Sequence, residues 1–302
     1  MKVTMKRTWI LGTRGSKLAL RQTEIVRGLL SVLYPDMEFA TRIIKTTGDT
    51  VWDKPLHLIG GKGLFVKEIE EALLANDIDL AVHSMKDMPV ELPDGLTVGA
   101  VLTREDPHDA FFSLKYARLE DVRSGRIGTG SLRRKAQVLH FNPALEIVPI
   151  RGNVDTRLRK LAEQDLDGII LACAGVKRMG LGASIREVIP YDIMVPPSGQ
   201  GAIGVETRND RESLRLVAPL IDKKSLFEVT IERKLQVMIG GGCSVPLGIN
   251  ASFLQSILTV RTALGTEEGE LLVRKSVSGP EEAAEELIAR SFEAVQEAKN
   301  RV

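Results

Sequence analysis

The stretch Thr8-Trp9-Ile10-Leu11-Gly12-Thr13-Arg14-Gly15-Ser16-Lys17 decides the fold class, together with the helical pattern that follows it in sequence. Its first four residues form a short apolar run that is typical of a strand. After a glycine-rich turn, apolar residues recur close to helical spacing over residues 18–33. Strand, turn and helix in this order predict a β-α unit of an open, mostly parallel sheet covered by helices.

The same alternation continues through the first two-thirds of the chain. Linkers are predicted at residues 103–107 and 195–201, and residues 202–206 are predicted to return as a strand to the first unit. Two linkers between the same two α/β lobes would form a double hinge, as in two-lobed binding proteins. The other predicted strands are 39–45, 79–83, 96–102, 126–128, 145–150 and 168–172. The other predicted helices are 64–74 and those beginning near Ser131, Thr156 and Gly175.

The sequence changes character after about residue 220. A helical stretch (226–239), three strand-like runs (249–254, 257–264 and 270–277) and a closing helix (281–298) predict a small α+β domain. The expected domains are 1–103 with 198–219 as a discontinuous first lobe, 104–197 as the second lobe, and 220–302 as the third domain.

Composition excludes several classes of function. The net charge is +1 and aromatic residues make up 4%, which argues against a nucleic-acid-binding protein. No apolar run approaches membrane-spanning length, and the run after Arg7 is too short for a signal peptide. The four histidines lack metal-ligand spacing, so no metal is predicted. Two cysteines make no disulfide framework, and we expect a cytoplasmic protein.

Cations recur where predicted strands give way to helices. Such junctions line one crevice of an open parallel sheet, and helix N-termini there offer free N–H groups. A lone arginine after a strand is usually a surface residue, as we expect for Arg159 and Lys160, but the recurrence predicts a polyanionic ligand. Ser16 and Ser131 are candidate N-caps or ligand-binding hydroxyls. The junctions are Gly12 to Lys17, Gly60 to Gly63, His83 to Asp87, Gly128 to Arg134, Arg151 to Arg157 and Gly175 to Arg178.

Carboxylates are the expected anions, because the phosphate motifs fail. The stretch Gly199-Gln200-Gly201-Ala202-Ile203-Gly204 matches a dinucleotide fingerprint formally, but it precedes strand-like residues instead of opening a helix. Asp87 stands out as a carboxylate among these cations. It is either a catalytic group that holds a positive centre or moves a proton, or a partner for a neighbouring cation or a cap for the next turn.

The two cysteines differ in their settings. Cys243 follows Gly240-Gly241-Gly242 and precedes a polar turn, so its thiolate would be a reachable nucleophile or attachment point. A turn cysteine without a role is the alternative. Cys173 lies in the apolar run of residues 168–174 and is predicted to be a small core hydrophobe within a buried strand.

Six motifs follow one another along the chain, at residues 61–68, 81–87, 131–134, 151–157, 199–202 and 241–243. Taken together and in this order, they resemble the porphobilinogen deaminase (hydroxymethylbilane synthase) family. The resemblance implies two lobes like those of periplasmic binding proteins, and a third domain whose Cys243 holds a dipyrromethane cofactor through a thioether. It implies a monomeric transferase of tetrapyrrole and haem biosynthesis. That enzyme joins four porphobilinogen molecules head to tail with loss of ammonia, and water then releases hydroxymethylbilane.

The resemblance also implies roles for individual residues. Asp87 matches the catalytic aspartate, which holds pyrrole N–H groups and stabilises the cation left when ammonia departs. Lys62 and Phe65 fall in a loop over the cleft. Matches to positions that bind the cofactor are Lys86, Asp87, Ser131, Arg133 and Arg134. Residues assigned to the substrate or growing chain are Arg14, Ser16, Arg151, Arg157, Arg178 and Gln200.

Two other functions compete with the deaminase. A non-catalytic two-lobed receptor for a small polyanion would share the basic junctions, but the exposed Cys243 on a third domain argues against it. An RNA-binding protein would use the arginine pairs, but the near-zero net charge and the scarcity of aromatic residues argue against that.

Overall fold

A computed structural model describes residues 8–50, 66–240 and 245–301 of the chain. The strands, in chain order, are β1 (Thr8–Thr13), β2 (Glu38–Ile43), β3 (Leu80–Ser84), β4 (Leu96–Val101), β5 (Asp109–Phe112), β6 (Gly125–Gly128), β7 (Leu145–Val148), β8 (Gly168–Ala172), β9 (Glu187–Val188), β10 (Ile203–Arg208), β11 (Leu247–Leu254), β12 (Ile257–Gly265) and β13 (Leu271–Pro280). The α-helices are α1 (Lys17–Leu33), α2 (Thr47–Thr50), α3 (Lys67–Leu74), α4 (Leu132–Phe141), α5 (Val154–Glu163), α6 (Cys173–Arg178), α7 (Arg211–Val217), α8 (Lys223–Ile239) and α9 (Ala284–Lys299).

The chain divides into two compact units. The first comprises the described residues up to Arg104 together with Ala202–Leu226. The second comprises Glu105–Gly201 and the described residues from Phe227 onward. The domain boundaries expected from the sequence stay a prediction. Within the described ranges, no helix is long and apolar enough to cross a membrane.

A five-stranded sheet in the order β2-β1-β3-β10-β4 forms the centre of the first unit. β1 is parallel to β2 and β3, as predicted, whereas β10 is antiparallel to β3 and β4. The predicted return of the chain to this sheet is therefore confirmed. The chain enters β10 directly from residues of the second unit, without a β-α crossover from a neighbouring strand. A crossover of that kind is what makes neighbouring strands parallel, so β10 is free to run antiparallel to β3 and β4.

Helices cover both faces of this sheet. Val26 and Leu30 of α1 are fully buried in the same cluster as Trp9 and Leu11 of β1. In a separate cluster, Ile69 and Leu73 of α3 are buried with Ile78 and Ala81. This layered α/β arrangement places the carboxyl ends of the neighbouring parallel strands β1 and β3 at one edge of the sheet.

The second unit contains another five-stranded sheet, in the order β7-β6-β8-β5-β9. β6 is parallel to β7 and β8, so the carboxyl ends of these three strands share an edge. β5 was not predicted, and it runs antiparallel to β8 and β9. It is only four residues long and fully buried, and it begins with Asp109, so neither alternation nor an apolar start reveals it.

The predicted α+β elements are confirmed in the remainder of the second unit. β11, β12 and β13 form an antiparallel meander. Leu235 of α8 and Leu287 and Val295 of α9 are buried with Leu258 and Val260 of β12. The closing helix starts at Ala284, three residues later than predicted, because Glu281–Ala283 form a 3-10 turn.

Candidate active site

The turn after β3 carries the predicted catalytic carboxylate. Met85–Asp87 form a 3-10 turn, in which Lys86 and Asp87 are half-buried and Met85 is buried. The Met85 N–H donates to the Ala202 carbonyl at 3.1 Å, which fixes the turn to the residue before β10. In the described ranges, Asp87 has no hydrogen-bond or ion-pair partner. The alternative role for Asp87, as a partner for a neighbouring cation or as a cap, is therefore without support among these residues.

The β1-α1 junction lies at the same sheet edge. Arg14 directly follows β1 and is half-buried. Ser16 is the N-cap of α1, and its Oγ accepts a hydrogen bond from the Ala19 N–H at 3.3 Å. The predicted cap is confirmed, and the hydroxyl proton stays available as a donor. Gln22 of α1 and Ser84 of β3 exchange hydrogen bonds of 2.8 and 3.1 Å, which ties this helix to the end of β3.

In the second unit, Ser131 is the N-cap of α4. Its Oγ accepts from the Arg134 N–H at 3.4 Å, and its own N–H donates to Thr129 Oγ1 at 3.2 Å. The first turn of α4 is therefore fixed by side chains that precede it. The predicted cap is confirmed, whereas the binding role of Ser131 stays a prediction.

Arg133 and Arg134 are buried around a single carboxylate. Arg134 donates to Asp109 Oδ1 through Nε at 3.1 Å and through Nη2 at 2.7 Å. Arg133 Nη1 lies 2.8 Å from Asp109 Oδ2 and donates to the Val195 carbonyl at 2.8 Å. Oδ2 nevertheless accepts no well-aligned hydrogen bond among the described residues, so its contact with Arg133 is an ion pair without hydrogen-bond geometry.

The charges of this cluster do not balance. Burial raises the pKa of Asp109, but the two guanidinium groups outweigh burial and hold that pKa well below its usual range. Burial lowers the pKa of Arg133, and Asp109 opposes the change. Two cations around one carboxylate leave an excess positive charge in a buried place, which an anionic ligand would neutralise.

Gln200 belongs to the same cluster. Its side chain is buried, and Nε2 donates to Asp109 Oδ1 at 3.0 Å and to the Pro107 carbonyl at 2.8 Å. Its predicted contact with substrate stays a prediction, because the structure shows the amide nitrogen bonded within its own unit. The rejection of the dinucleotide fingerprint is confirmed, because the stretch from Gly199 leads into strand β10 and not into a helix.

The β7-α5 junction presents Arg151 and Arg157, both half-buried. Asn153 is the N-cap of α5, and its Oδ1 accepts from the Thr156 N–H at 3.0 Å. Arg157 Nε donates to the Gly152 carbonyl at 2.7 Å, which aligns the guanidinium along the turn.

Arg159 and Lys160, the next two cations of α5, have different partners. Arg159 is a surface residue paired with Glu163 at 3.1 Å, as expected. The surface role expected for Lys160 is wrong, because this half-buried residue donates to the Arg151 carbonyl at 3.0 Å.

Arg178 ends α6 and turns back toward the chain. Its Nη2 donates to the Gly201 carbonyl at 2.6 Å. Burial lowers the pKa of Arg178 to about 10, and Glu105 opposes the change, so the group remains a cation at neutral pH. Gly201 itself has φ +89°, and a side chain there would overlap the Glu105 carbonyl, so glycine is required at this turn.

Cys173 is buried, as predicted, but it does not belong to a strand. β8 ends at Ala172, and Cys173 is the first residue of α6. Its Sγ donates to Asp106 Oδ2 at 3.4 Å, and burial raises the pKa of the thiol to about 12, with Asp106 adding to the effect. The thiol is therefore unreactive at neutral pH. Three other predicted site residues, Lys62, Phe65 and Cys243, lie outside the described residues.

Sequence reasoning missed Asp109, on which three predicted site residues depend. It is fully buried at the first position of β5 and contacts Arg133, Arg134 and Gln200. The available signal was a lone acidic residue directly before the apolar run Ala110-Phe111-Phe112, since a buried carboxylate requires cationic partners.

Cations at the ends of parallel strands, and a carboxylate without a partner in the described ranges, are typical of an α/β protein that binds a small polyanion. The family model for "Porphobilinogen deaminase, dipyromethane cofactor binding domain" matches residues 9–216, and the one for "Porphobilinogen deaminase, C-terminal domain" matches residues 226–293. The chain belongs to the porphobilinogen deaminase family. Membership confirms the predicted activity and cofactor, and it makes the chain an enzyme of tetrapyrrole biosynthesis.

Curated relatives cover nearly all of the chain. The porphobilinogen deaminase of Syntrophus aciditrophicus (strain SB) is 47% identical over 279 residues, which are 92% of this chain and 91% of that one. The porphobilinogen deaminase of Roseiflexus sp. (strain RS-1) is 48% identical over 281 residues, 91% of this chain and 93% of that one. A solved TRAP periplasmic solute binding protein from Desulfovibrio salexigens superposes with a TM-score of 0.43 at 9% identity, over 72% of each chain.

Proposed function

We propose that Asp87 is the catalytic carboxylate with which this enzyme deaminates porphobilinogen and joins four such units into hydroxymethylbilane. One observation carries the proposal: a half-buried carboxylate without a partner in the described ranges stands at the end of β3, directly after Lys86. Most carboxylates at such a depth are paired, so a free one beside a cation is typical of a functional site.

The chemistry requires such a group. When ammonia leaves the aminomethyl carbon of porphobilinogen, positive charge develops on the pyrrole ring and its N–H becomes a stronger donor. A fixed carboxylate that accepts this N–H stabilises the charge as it develops. The same carboxylate is able to take up a proton after the new carbon–carbon bond forms. Asp87 would perform both tasks.

The residues present fit a dipyrromethane cofactor, which carries several carboxylates. Lys86, Ser131, Arg133 and Arg134 would hold those groups, and the excess positive charge around Asp109 is the property that such a ligand needs. Cys243 would hold the cofactor through a thioether. When bound, the cofactor would supply a nucleophilic α-carbon.

Cations at the other junctions would bind the substrate carboxylates. Arg157 and Arg178 each donate one N–H to a backbone carbonyl, which orients the guanidinium. Ser16 retains a hydroxyl proton, and Lys62 and Phe65 would belong to a loop over the bound groups. The residues proposed for the substrate and growing chain are Arg14, Ser16, Arg151, Arg157, Arg178 and Gln200.

We also propose that the chain is a monomer and that it works in the cytoplasm. The family resemblance supports the monomer. The two cysteines of the sequence make no disulfide framework, which supports a reducing compartment. The domain limits 1–103 with 198–219, 104–197 and 220–302 belong to the same proposal.

Replacing Arg157 with glutamine is expected to raise the KM for porphobilinogen by about tenfold, because one charge-assisted carboxylate contact is lost. Ammonia release and hydroxymethylbilane formation are measured together, and the parent should release about four ammonia molecules per bilane.

Arg159→Gln is the matched control, since it removes the same charge two residues away from an exposed position. Equal KM values for the two variants would contradict the binding role of Arg157. A parent that releases no ammonia from porphobilinogen would contradict the proposed function itself.

A further inference from the structure

Three titratable side chains of the first unit are buried where α3 packs on the sheet face that carries Ala81, the register partner of Glu206, outside the site described above. His83 Nε2 lies 3.0 Å from Glu206 Oε2, and these side chains are 4% and 0% exposed. Glu70 of α3 is 7% exposed. In the described ranges, Glu70 Oε1 and Glu206 Oε1 are buried without a hydrogen-bond partner. A buried pair of carboxylates with one imidazole is costly, so its retention calls for a reason.

The cluster lies next to the turn that carries Lys86 and Asp87. His83 of β3 is two residues before Met85. In the antiparallel pairing of β3 with β10, His83 lies opposite Gly204. Glu206 lies two residues further along β10, and therefore on the same face of the sheet as the missing side chain of Gly204. A Cβ at Gly204 would overlap Met85 Sδ, so the Met85 side chain occupies that space beside the cluster.

The charge of the cluster changes near neutral pH. Burial raises the pKa of Glu70 to about 7, the Glu206 carboxylate adds to this effect, and His83 opposes it. Among the described residues, the charged groups that act on Glu70 are Glu206 from β10, His83 from β3 and, more weakly, its exposed neighbour Glu71 on α3. β1 and β4 contain no titratable residue. Ionisation of Glu70 therefore adds a second negative charge beside Glu206 near neutral pH.

We propose that Glu70, His83 and Glu206 are positioning residues for the Lys86–Asp87 turn, and that ionisation of Glu70 loosens this turn. The inference rests on the proposed role of Asp87. When Glu70 is neutral, Glu206 alone bonds His83 and the β3-β10 pairing holds Met85 on Gly204. When Glu70 ionises, its negative charge repels Glu206 and competes with it for His83. This disturbs the β3-β10 pairing that holds Met85 in place, and Asp87, two residues after Met85, is displaced.

The test compares kcat across pH for the parent and Glu70→Gln, which has the same shape but does not titrate. A displacement of the order of 1 Å at a reacting group costs about a hundredfold in rate, so a smaller one should cost about tenfold. We expect the ratio of kcat, variant over parent, to rise about tenfold between about pH 6 and about pH 8.5. Effects of Asp87 and of the substrate amine cancel in this ratio, and a constant ratio would overturn the proposal.

Glu71→Gln is the matched control, because Glu71 is the next residue of α3, is 63% exposed and pairs only weakly with Lys67 at 3.8 Å. Its kcat ratio to the parent should stay constant with pH. A change equal to that of Glu70→Gln would overturn the proposal, since it would arise from surface charge.

A second readout does not use activity. The ring resonances of His83 should shift as Glu70 titrates in the parent and should lose this shift in Glu70→Gln. Glu70→Gln should also gain thermal stability relative to the parent as pH rises toward 8, because the raised pKa makes ionised Glu70 destabilising. A stability gain without a change in the kcat ratio would overturn the positioning role. If the parent enzyme shows no turnover at any pH, the proposed function of Asp87 is contradicted. The cluster is then tested by the shift of the His83 ring resonances alone.

Discussion

Asp87→Asn is expected to lower kcat for porphobilinogen deamination by about a hundredfold to a thousandfold. The amide keeps the shape of the carboxylate but removes the charge that stabilises the positive pyrrole as ammonia leaves. KM should change by less than about threefold, because the loss concerns the transition state more than the bound substrate. Single-turnover and steady-state ammonia release measure both constants.

The control for this prediction is Asp94→Asn, which removes a carboxylate from an exposed position seven residues away. Its kcat should match that of the parent within about twofold. If Asp87→Asn retains more than about a tenth of the parent kcat, Asp87 does not provide the electrostatic stabilisation assigned to it.

Asp109→Asn is expected to destabilise the protein by about 3–5 kcal/mol. The substitution leaves two buried guanidinium groups, Arg133 and Arg134, without the carboxylate that they contact at 2.7–2.8 Å. Urea or thermal unfolding of the cofactor-free chain measures the difference in stability. The affinity of the same variant for anionic ligands should also change, since the excess positive charge of the cluster rises from one to two.

Asp165→Asn serves as the matched control in the same unit. Asp165 pairs with Lys115 at 3.0 Å, but its side chain is 88% exposed, so its loss should cost less than about 1 kcal/mol. Equal destabilisation by the two variants would contradict the buried network.

The pH dependence of the Asp109 contribution has a definite sign. The folded-state pKa of Asp109 lies below its ordinary value of 3.8. The stability that its charge contributes is therefore fully present above about pH 4 and is lost as pH falls toward the folded-state pKa. The difference between parent and Asp109→Asn should shrink in acid, and a difference that grows there would contradict the assigned ion pairs.

Much of the fold follows from periodicity in the sequence. The β-α alternation predicted the parallel strands β1 to β3 and β6 to β8, because apolar runs of strand length and helical spacing are local signals. β5 was not predicted because a run of four residues that begins with a charged one gives no periodic signal. The start of α6 at Cys173 was not predicted either, because a buried strand and a buried turn of helix have the same apolar composition.

The positions of the site residues were easier to predict than the directions of their side chains. Glycines and caps marked the strand ends, and Ser16, Ser131 and the Arg151–Arg157 turn lie there. The partner of Arg134 is 25 residues away in a strand that the sequence did not reveal. No local pattern shows that Arg133, Arg134 and Gln200 meet the same buried carboxylate, because that contact is formed only by tertiary packing.

The inward direction of these arginines changes how their proposed role is understood. A guanidinium on the surface would bind a carboxylate after losing much side-chain freedom. Arg133 and Arg134 are already fixed by Asp109 and by the Val195 and Ile170 carbonyls. A cofactor carboxylate would meet a preformed positive field, which lowers the entropic cost of holding it.

The measurement that tests the central claim most directly is the intact mass of the purified protein under denaturing conditions, beside Cys243→Ser and Cys173→Ser. We predict a mass excess equal to two linked pyrroles in the parent and in Cys173→Ser, whose buried thiol is bonded to Asp106. Cys243→Ser should carry no excess. An unmodified parent that also gains no mass on incubation with porphobilinogen would contradict the covalent cofactor and the enzyme mechanism built on it.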